Sequence, residues 1–326
     1  MTVARIATVC QGRRFYPTIE GNREHVLGLL DLALRQGPDL VCLPETFTTV
    51  SVPFEDVTEI AEPVPGPTTD AVAERARAQG CYVICPIKNQ REGTIWNSAI
   101  VIDRQGEILG IYDKAQPVTT SDDYTVFEGG VQPGPADVPV FDLDFGRIGI
   151  QICYDAGFPE TWQRLADKGA AMVFWPSAYN GGFPLQVYAY LHHYYVVSSV
   201  RTDISRIADP LGQILHRTDE RHNVIYRDIN LDYCVCHYDF NHSIGDEIMA
   251  AYGARVEIRS DRDSGHFLVE PRVDTLTIAD LQREFGFEPT AQYHQRHRDA
   301  YAQLRAGRAA PAQQAAHSSR PMHAKW

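Results

Sequence analysis

The sequence predicts an α/β fold with a mixed sheet, or two sheets, and helices on the outer faces. Short β-branched apolar runs alternate with segments of helical apolar spacing in the first part of the chain, and paired runs joined by turns follow. The composition agrees, because 326 residues with 44% hydrophobic and 22% charged side chains are typical of a globular protein with a large core.

The first part of the chain supplies the alternating elements. The predicted strands are 3–10, 39–43, 81–87, 95–103 and 107–112, and the predicted helices are 22–36 and 69–79. Gly37-Pro38 and Gly80 are the stop signals of the two helices. The strands are short and apolar, so we expect them to be buried.

The middle of the chain continues with hairpins and two helices. The predicted strands there are 138–143, 147–153, 171–175, 196–200, 204–208, 213–216 and 223–231, with helices at 159–168 and 185–195. Beyond about residue 236 only one helix, 277–286, is predicted, and from residue 305 the chain is rich in Ala, Gln and Arg. We therefore predict a main domain over 1–236, an extension over 237–304 used for assembly or packing, and a mobile basic tail over 305–326.

Charge and cysteine content limit the classes of function. The chain has 42 acidic residues against 30 Lys and Arg, a formal net charge of −12, which argues against nucleic acid or an anionic membrane as partner. The residues after Met1 include no basic region leading into a long apolar run, so we expect no signal peptide and reduced thiols in a cytoplasmic protein. The uncharged stretch 169–191 contains Pro and Gly and is not predicted to span a membrane.

Three reactive residues each come just after an apolar strand, where α/β proteins build their sites. Glu45 follows Leu43-Pro44, Lys114 follows Tyr112-Asp113, and Cys153 follows Ile150-Gln151-Ile152. A thiolate is a strong nucleophile, a carboxylate can accept the thiol proton, and an ammonium can stabilise an oxyanion. Together these groups predict acyl transfer that needs no metal and no other cofactor.

Each of these residues also has an ordinary structural explanation. Alone, Glu45 is a loop acid, Lys114 a surface charge and Cys153 a small buried side chain. Their combination in this order is what favours catalysis. His192-His193 is not predicted to bind a metal, because neighbouring helix residues point about 100° apart, and 234–237 is too compact for a zinc site and is better explained as a strand end.

The motifs around these residues resemble those of the nitrilase superfamily, the carbon–nitrogen hydrolases. The resemblance rests on LPET around Glu45, YDK around Lys114 and ICYDAGFPE around Cys153, and it runs from about residue 3 to residue 233. Glu128, ahead of Pro133-Gly134, resembles the second glutamate of the family, and the segment from Trp175 resembles its pocket segment.

The resemblance implies a four-layer αββα sandwich of the carbon–nitrogen hydrolase type that often dimerises. It also implies that Cys153 is the nucleophile, Glu45 the general base and Lys114 the cation that stabilises the tetrahedral intermediate. Glu128 and the backbone amide of Tyr154 are the implied supporting groups. The implied substrate pocket is formed by Phe47, Trp175, Pro176 and Ser177.

The residues after the nucleophile favour one branch of the superfamily. Tyr154-Asp155, followed by Phe158-Pro159-Glu160, resembles the amidase and carbamoyl-amide hydrolase members, whereas nitrile-cleaving members usually have Trp and then Glu. We therefore predict a thiol-dependent amidohydrolase that cleaves a small non-peptide amide or carbamoyl amide, releases ammonia or an amine, and assembles as a homodimer or larger oligomer. The alternatives are a nitrilase with the same triad and a non-catalytic interaction protein that keeps the fold.

Overall fold

The chain divides into two compact units. The computed structural model describes residues 3–202, 204–261 and 263–310. The larger unit is Ala4–Ile229, and the smaller unit is formed mainly by the residues from Asn230 onward. The predicted domain boundary at 236 lies inside a strand of the smaller unit, Cys234–His237. Most of the predicted mobile tail, from residue 311, lies outside the described residues.

The larger unit contains most of the predicted elements. Its strands are β1 (Val3–Val9), β2 (Leu40–Cys42), β3 (Glu62–Pro63), β4 (Tyr82–Arg91), β5 (Thr94–Ile102), β6 (Ile108–Asp113), β7 (Val140–Leu143), β8 (Gly146–Ile150), β9 (Met172–Ser177), β10 (Tyr195–Val200), β11 (Arg206–Ala208), β12 (Ile214–Arg217) and β13 (Val224–Asn230). Its helices are α1 (Ile19–Leu34), α2 (Pro67–Gln79), α3 (Pro159–Asp167) and α4 (Phe183–His192). Their bounds differ from the predicted ones by only a few residues, because strong apolar patterns and Pro or Gly stops mark them.

These strands form two mixed sheets. The first has the order β13-β1-β2-β4-β5-β6, with β3 also paired to β4. The second has the order β12-β11-β10-β9-β8-β7. In each sheet the central pairs are parallel, as in β1–β2, β2–β4, β8–β9 and β9–β10, and antiparallel hairpins extend the edges. The predicted order, in which strands alternate with helices and hairpins follow, corresponds to these sheets of parallel and antiparallel pairs.

The helices cover the outer faces of the two sheets. Val26 and Leu30 of α1 and Val72 of α2 pack with strand residues of the first sheet in one buried apolar cluster. On the second sheet, a Cβ at Gly149 of β8 would lie 2.8 Å from the side chain of Leu165 of α3, so this close approach of helix and strand requires glycine.

The two sheets are also joined directly on their inner sides, since Ser199 Oγ donates a hydrogen bond to the Val9 carbonyl at 2.7 Å. The predicted αββα sandwich is confirmed.

The smaller unit has a core of its own. Its strands are β14 (Cys234–His237), β15 (Val256–Asp261) and β16 (His266–Pro271), and its helices are α5 (Ile244–Tyr252), α6 (Ile278–Phe285) and α7 (Thr290–Arg305). The strands form an antiparallel sheet of order β14-β16-β15. Ile248, Phe267 and Leu281 are among the residues of its buried apolar cluster. The smaller unit therefore has an apolar core formed by described residues between Cys234 and Phe287.

Helices α5 and α7 and strands β15 and β16 were not predicted from the sequence. Helix α7 is mainly polar, and Tyr293 is one of its few buried side chains, with its ring stacked 3.6 Å from that of His237. An available signal was the spacing of Tyr293, His297, Tyr301 and Leu304, which places them on one helical face. Among the described residues, no helix is both long and apolar enough to cross a membrane.

Candidate active site

The charged and nucleophilic residues of the site follow strands of the two sheets. Glu45 comes shortly after β2 and Lys114 directly after β6 in the first sheet. Cys153 comes shortly after β8 and Arg201 directly after β10 in the second. The fold therefore brings together groups that are far apart in the sequence, as expected for an α/β site.

The Lys114 ammonium lies between two carboxylates. Its Nζ is 2.9 Å from Glu45 Oε1 and 2.6 Å from Glu128 Oε1. Asn97 Nδ2 donates a hydrogen bond of 2.9 Å to each of these glutamates. Arg201 Nη2 contacts the other oxygen of Glu45 at 3.2 Å. Because Lys114 is only 1% exposed, these contacts replace its hydration almost completely.

The mutual pairing keeps both Glu45 and Lys114 charged. Burial alone would raise the pKa of Glu45, but the charges of Lys114 and Arg201 outweigh burial and hold that pKa below its usual range. Burial alone would lower the pKa of Lys114, but the carboxylates of Glu45 and Glu128 raise it above its usual range. The site therefore holds a cation whose charge does not depend on pH near neutrality.

Cys153 lies at the start of a tight turn. Its φ of +48° is in the left-handed region, which is uncommon for a residue with a side chain, and it opens the 3₁₀ turn Cys153–Gly157. The indole Nε1 of Trp175 donates a hydrogen bond to the Cys153 carbonyl at 3.1 Å, which helps to hold this conformation. Backbone strain of this kind is often found where a side chain must be presented at a reactive site.

The Asp155 carboxylate connects the Cys153 turn to the segment that carries Lys114. It is completely buried and accepts hydrogen bonds from Tyr112 Oη at 2.7 Å, from the Ile152 N–H at 2.7 Å and from the Gln116 N–H at 2.9 Å. Tyr112 and Gln116 flank Lys114, and Ile152 precedes Cys153. One carboxylate thus fixes the backbone on both sides of the candidate oxyanion site.

The thiol of Cys153 is protonated at neutral pH. Burial, and next the negative charge of Glu45, raise the pKa of Cys153 to about 11, although Lys114 and a hydrogen bond with Ser177 act in the opposite direction. A proton acceptor is therefore required before this sulfur can attack at neutral pH.

A cavity of about 510 Å³ contains these groups. It is lined by Glu45, Thr46, Thr49, Val50, Ser51, Phe54, Ile60, Lys88, Asn97, Lys114, Val118, Thr120, Glu128, Gly129, Cys153, Ala178 and Arg201. The volume suits a small molecule, and the lining combines an apolar wall with a dense group of charges.

The residues predicted to form the pocket lie behind this lining. Phe47, Trp175 and Ser177 are completely buried, and Pro176 is buried between the latter two in β9. Trp175 and Ser177 contact Cys153 through the hydrogen bonds described above. The side chain of Tyr154 is 47% exposed and packs edge-on against Phe158. The side chains at the cavity come instead from loops that follow β2 and β6.

A sequence profile described as carbon–nitrogen hydrolase matches residues 6–235. The chain belongs to the carbon–nitrogen hydrolase family. The resemblance to the nitrilase superfamily and the predicted class of enzyme are thereby confirmed. The match spans the larger unit and ends at the first strand of the smaller one.

Other members of the carbon–nitrogen hydrolase family align with the chain over different lengths. A protein named deaminated glutathione amidase from Synechocystis sp. is 29% identical over 242 residues, which cover 66% of this chain and 88% of that protein. A protein named nitrilase from Pyrococcus abyssi is 35% identical over 153 residues, 46% of this chain and 55% of that protein. A crystal structure of an amidase from Nesterenkonia sp. superposes with a TM-score of 0.60 at 21% identity, covering 70% of this chain and 91% of that one, and shows the shared fold.

The carbon–nitrogen hydrolase site contains residues that sequence reasoning missed. Arg201 is the first charged residue after the buried strand β10, so the rule that selected Glu45, Lys114 and Cys153 also applied to it. Asn97 is a buried amide within the largely apolar strand β5, which signals a buried polar contact. His192 stacks on Tyr188 within α4, and the described residues include no group of His, Cys, Asp or Glu that could hold a metal.

Asp155→Asn is expected to destabilise the larger unit. The asparagine side chain would turn an N–H group towards at least one of the groups that now donate a hydrogen bond to Asp155. Losing that hydrogen bond should lower the free energy of unfolding by about 1 to 3 kcal/mol. Denaturant unfolding measures this. Asp137→Asn is the matched control, because Asp137 pairs with Lys168 at the surface and its change should leave the unfolding midpoint close to that of the wild type. Equal midpoints for the two variants would contradict a bridging role of Asp155.

Two neutralising variants should shift the pKa of Cys153 in opposite directions. Glu45→Gln removes the charge that raises this pKa, and Lys114→Met removes a charge that lowers it. The rate of Cys153 alkylation by iodoacetamide between pH 6 and 10, followed by peptide mapping, reports the thiolate fraction. We expect the Glu45→Gln profile to move to lower pH and the Lys114→Met profile to higher pH. Shifts of the same sign would contradict the electrostatic description of the site.

Proposed function

We propose that the chain is a thiol-dependent amidohydrolase that cleaves the C–N bond of a small amide or carbamoyl amide through a thioester on Cys153. The observation that carries the proposal is the buried Lys114 ammonium, held between Glu45 and Glu128 in the cavity that Cys153 lines. The names of relatives support it, since several curated relatives are named as amidases. A binding module would have no need for this buried group of charges.

In the first half-reaction the Cys153 proton passes to Glu45 and the sulfur attacks the amide carbon. The carbonyl oxygen becomes an oxyanion, stabilised by Lys114 and by the backbone N–H of Tyr154. Glu45 then gives its proton to the leaving nitrogen as the C–N bond breaks. Ammonia or an amine departs, and the acyl group remains on sulfur as a thioester.

The second half-reaction uses the same groups with water as the nucleophile. Glu45 accepts a proton from water, the resulting hydroxide adds to the thioester carbon, and the C–S bond breaks. The acid is released, and the proton returns from Glu45 to the Cys153 sulfur.

The charge arrangement makes these proton transfers feasible inside a buried site. The negative charge moves from Glu45 to sulfur and then to the substrate oxygen, so it stays next to Lys114 throughout. No net charge is created in the low-dielectric site, which keeps the electrostatic barrier small. Glu128 and Arg201 hold Lys114 and Glu45 in place during the transfer.

The amide preference is tested with matched amide and nitrile pairs. We expect kcat/KM for the best amide or carbamoyl substrate to exceed that of the matching nitrile by at least about 10-fold, or about 1.4 kcal/mol in barrier height. The basis is the Tyr154-Asp155 pair after the nucleophile. Ammonia release is the measurement. A preference for nitriles would favour the second candidate, a nitrilase, which the relative of that name from Pyrococcus abyssi supports.

Location and assembly stay predictions. We expect the protein to act in the cytoplasm and to form a homodimer or larger oligomer, for which light scattering of the full-length chain is the measurement. Tyr301 and Leu304, which are 48% and 57% exposed on α7, are apolar groups that an assembly would cover.

A further inference from the structure

Lys88 is a cation of the cavity with no role in the mechanism above. It lies within β4, and its cross-strand partner in β5 is Asn97. Asn97 in turn neighbours Lys114, because the backbone N–H of Lys114 donates a hydrogen bond to the backbone carbonyl of Asn97 at 2.8 Å. Directly opposed residues of an antiparallel pair point to the same face of the sheet. Lys88 and Asn97 therefore project towards the same cavity, and both line it.

The cavity carries one more cation than carboxylate. Its charged lining residues are Lys88, Lys114, Arg201, Glu45 and Glu128. Lys114 is paired with both glutamates and Arg201 with Glu45. Among the described residues, no carboxylate oxygen lies within 4 Å of the Lys88 ammonium. Lys88 is thus the cation of this cavity that an added negative charge would neutralise.

The contacts of Lys88 leave donors available. Its Nζ donates to the Glu128 carbonyl at 3.1 Å and lies 5.8 Å from the ring centroid of Phe54. An ammonium has three N–H donors, so this backbone contact leaves two for a ligand. Burial lowers the pKa of Lys88, because the site removes part of the hydration of this cation, and an anion beside it would compensate for that loss.

We propose that Lys88 binds a carboxylate of the substrate, so that the preferred substrates are small amides carrying a carboxylate at their other end. This inference rests on the proposed amidohydrolase function and adds a specificity-determining residue to it. A single carboxylate matches the single excess positive charge and the two remaining donors. Phe54, Ile60 and Val118 supply apolar surface to contact the carbon chain that joins the two ends of such a substrate.

The test compares amides that differ only in terminal charge. Malonamate, succinamate and glutaramate are each assayed beside their methyl esters, and ammonia release gives kcat/KM. We expect the wild type to prefer the carboxylate form at the chain length that fits. Lys88→Met should lower kcat/KM for that carboxylate by at least about 30-fold and leave the ester within about 3-fold of the wild type. Lys88→Arg should restore part of the preference, since it keeps the charge.

Lys168→Met is the matched control. It also removes one lysine charge, but Lys168 pairs with Asp137 at the surface, so it should change neither substrate class. An equal loss for carboxylate and ester in Lys88→Met, with a lower unfolding midpoint, would overturn the proposal and make Lys88 a structural contact of the Glu128 backbone. Equal kcat/KM for carboxylate and ester in the wild type would also overturn it, while leaving the amidohydrolase function intact.

Binding to an inactive variant separates the two proposals. In Cys153→Ala, calorimetric titration with malonamate, succinamate and glutaramate, each beside its methyl ester, measures recognition without turnover. If the carboxylate binds more tightly than its ester, and if adding Lys88→Met abolishes this difference, the Lys88 site is supported. This holds even if the wild type hydrolyses no amide, because absent hydrolysis would overturn only the proposed function. Equal binding of the two compounds at all three chain lengths would overturn the Lys88 site.

Discussion

Replacing Cys153 with alanine is expected to lower kcat by at least about 10³-fold and to leave the fold unchanged. The thiol is the nucleophile of the proposed reaction, and Cys153 is the one cysteine among the described residues that line the cavity. The substitution removes a single sulfur atom and keeps the Cβ, so the change in side-chain volume is small. Steady-state kinetics with an amide, together with circular dichroism, measure both parts of this expectation.

Covalent labelling identifies the nucleophile independently. Mass spectrometry of the wild type with a slowly hydrolysed amide should show an acyl adduct on the peptide that contains Cys153. Cys81→Ala is the matched control, because Cys81 is completely buried and burial raises its pKa to about 12. That variant should retain activity and the adduct. An adduct on Cys10 or Cys42 would contradict the assignment of Cys153.

Lys114→Met is expected to lower kcat by roughly 10²- to 10³-fold, because the developing oxyanion loses its cation. It should also destabilise the protein by about 3 to 5 kcal/mol, the usual consequence of removing one member of a buried ion pair. Glu45 keeps Arg201 as a partner in this variant. Glu128 is left without a cationic partner in this variant, since among the described residues no cation other than Lys114 lies within 4 Å of its carboxylate.

A second substitution separates the two effects of Lys114. In Lys114→Met combined with Glu128→Gln, the unpaired carboxylate is replaced by an amide of the same shape. We expect this double variant to recover part of the lost free energy of unfolding and none of the lost activity. Chemical denaturation and steady-state assays of both variants give the comparison. Near-normal activity of either variant would show that Lys114 does not stabilise the oxyanion.

The amino-acid sequence predicted the elements of the larger unit because their signals are local. The apolar run of β1 and the Gly37-Pro38 stop after α1 depend only on neighbouring residues. The same is true of the strand ends that carry Glu45, Lys114 and Cys153. In the smaller unit the local signals are weak, and the polar helix α7 is ordered through contacts such as the stacking of Tyr293 on His237.

The partners of the site residues were decided only by the tertiary structure. Lys88, Asn97 and Lys114 are neighbours because β4, β5 and β6 pair in a particular register, and a shift by one residue would turn Lys88 to the other face. The residues predicted for the pocket lie behind the cavity lining for a related reason. The packing of β9 between two other strands buries Trp175, and loops from elsewhere in the chain cover the site. Register and loop packing depend on contacts between residues distant in sequence, which local patterns do not encode.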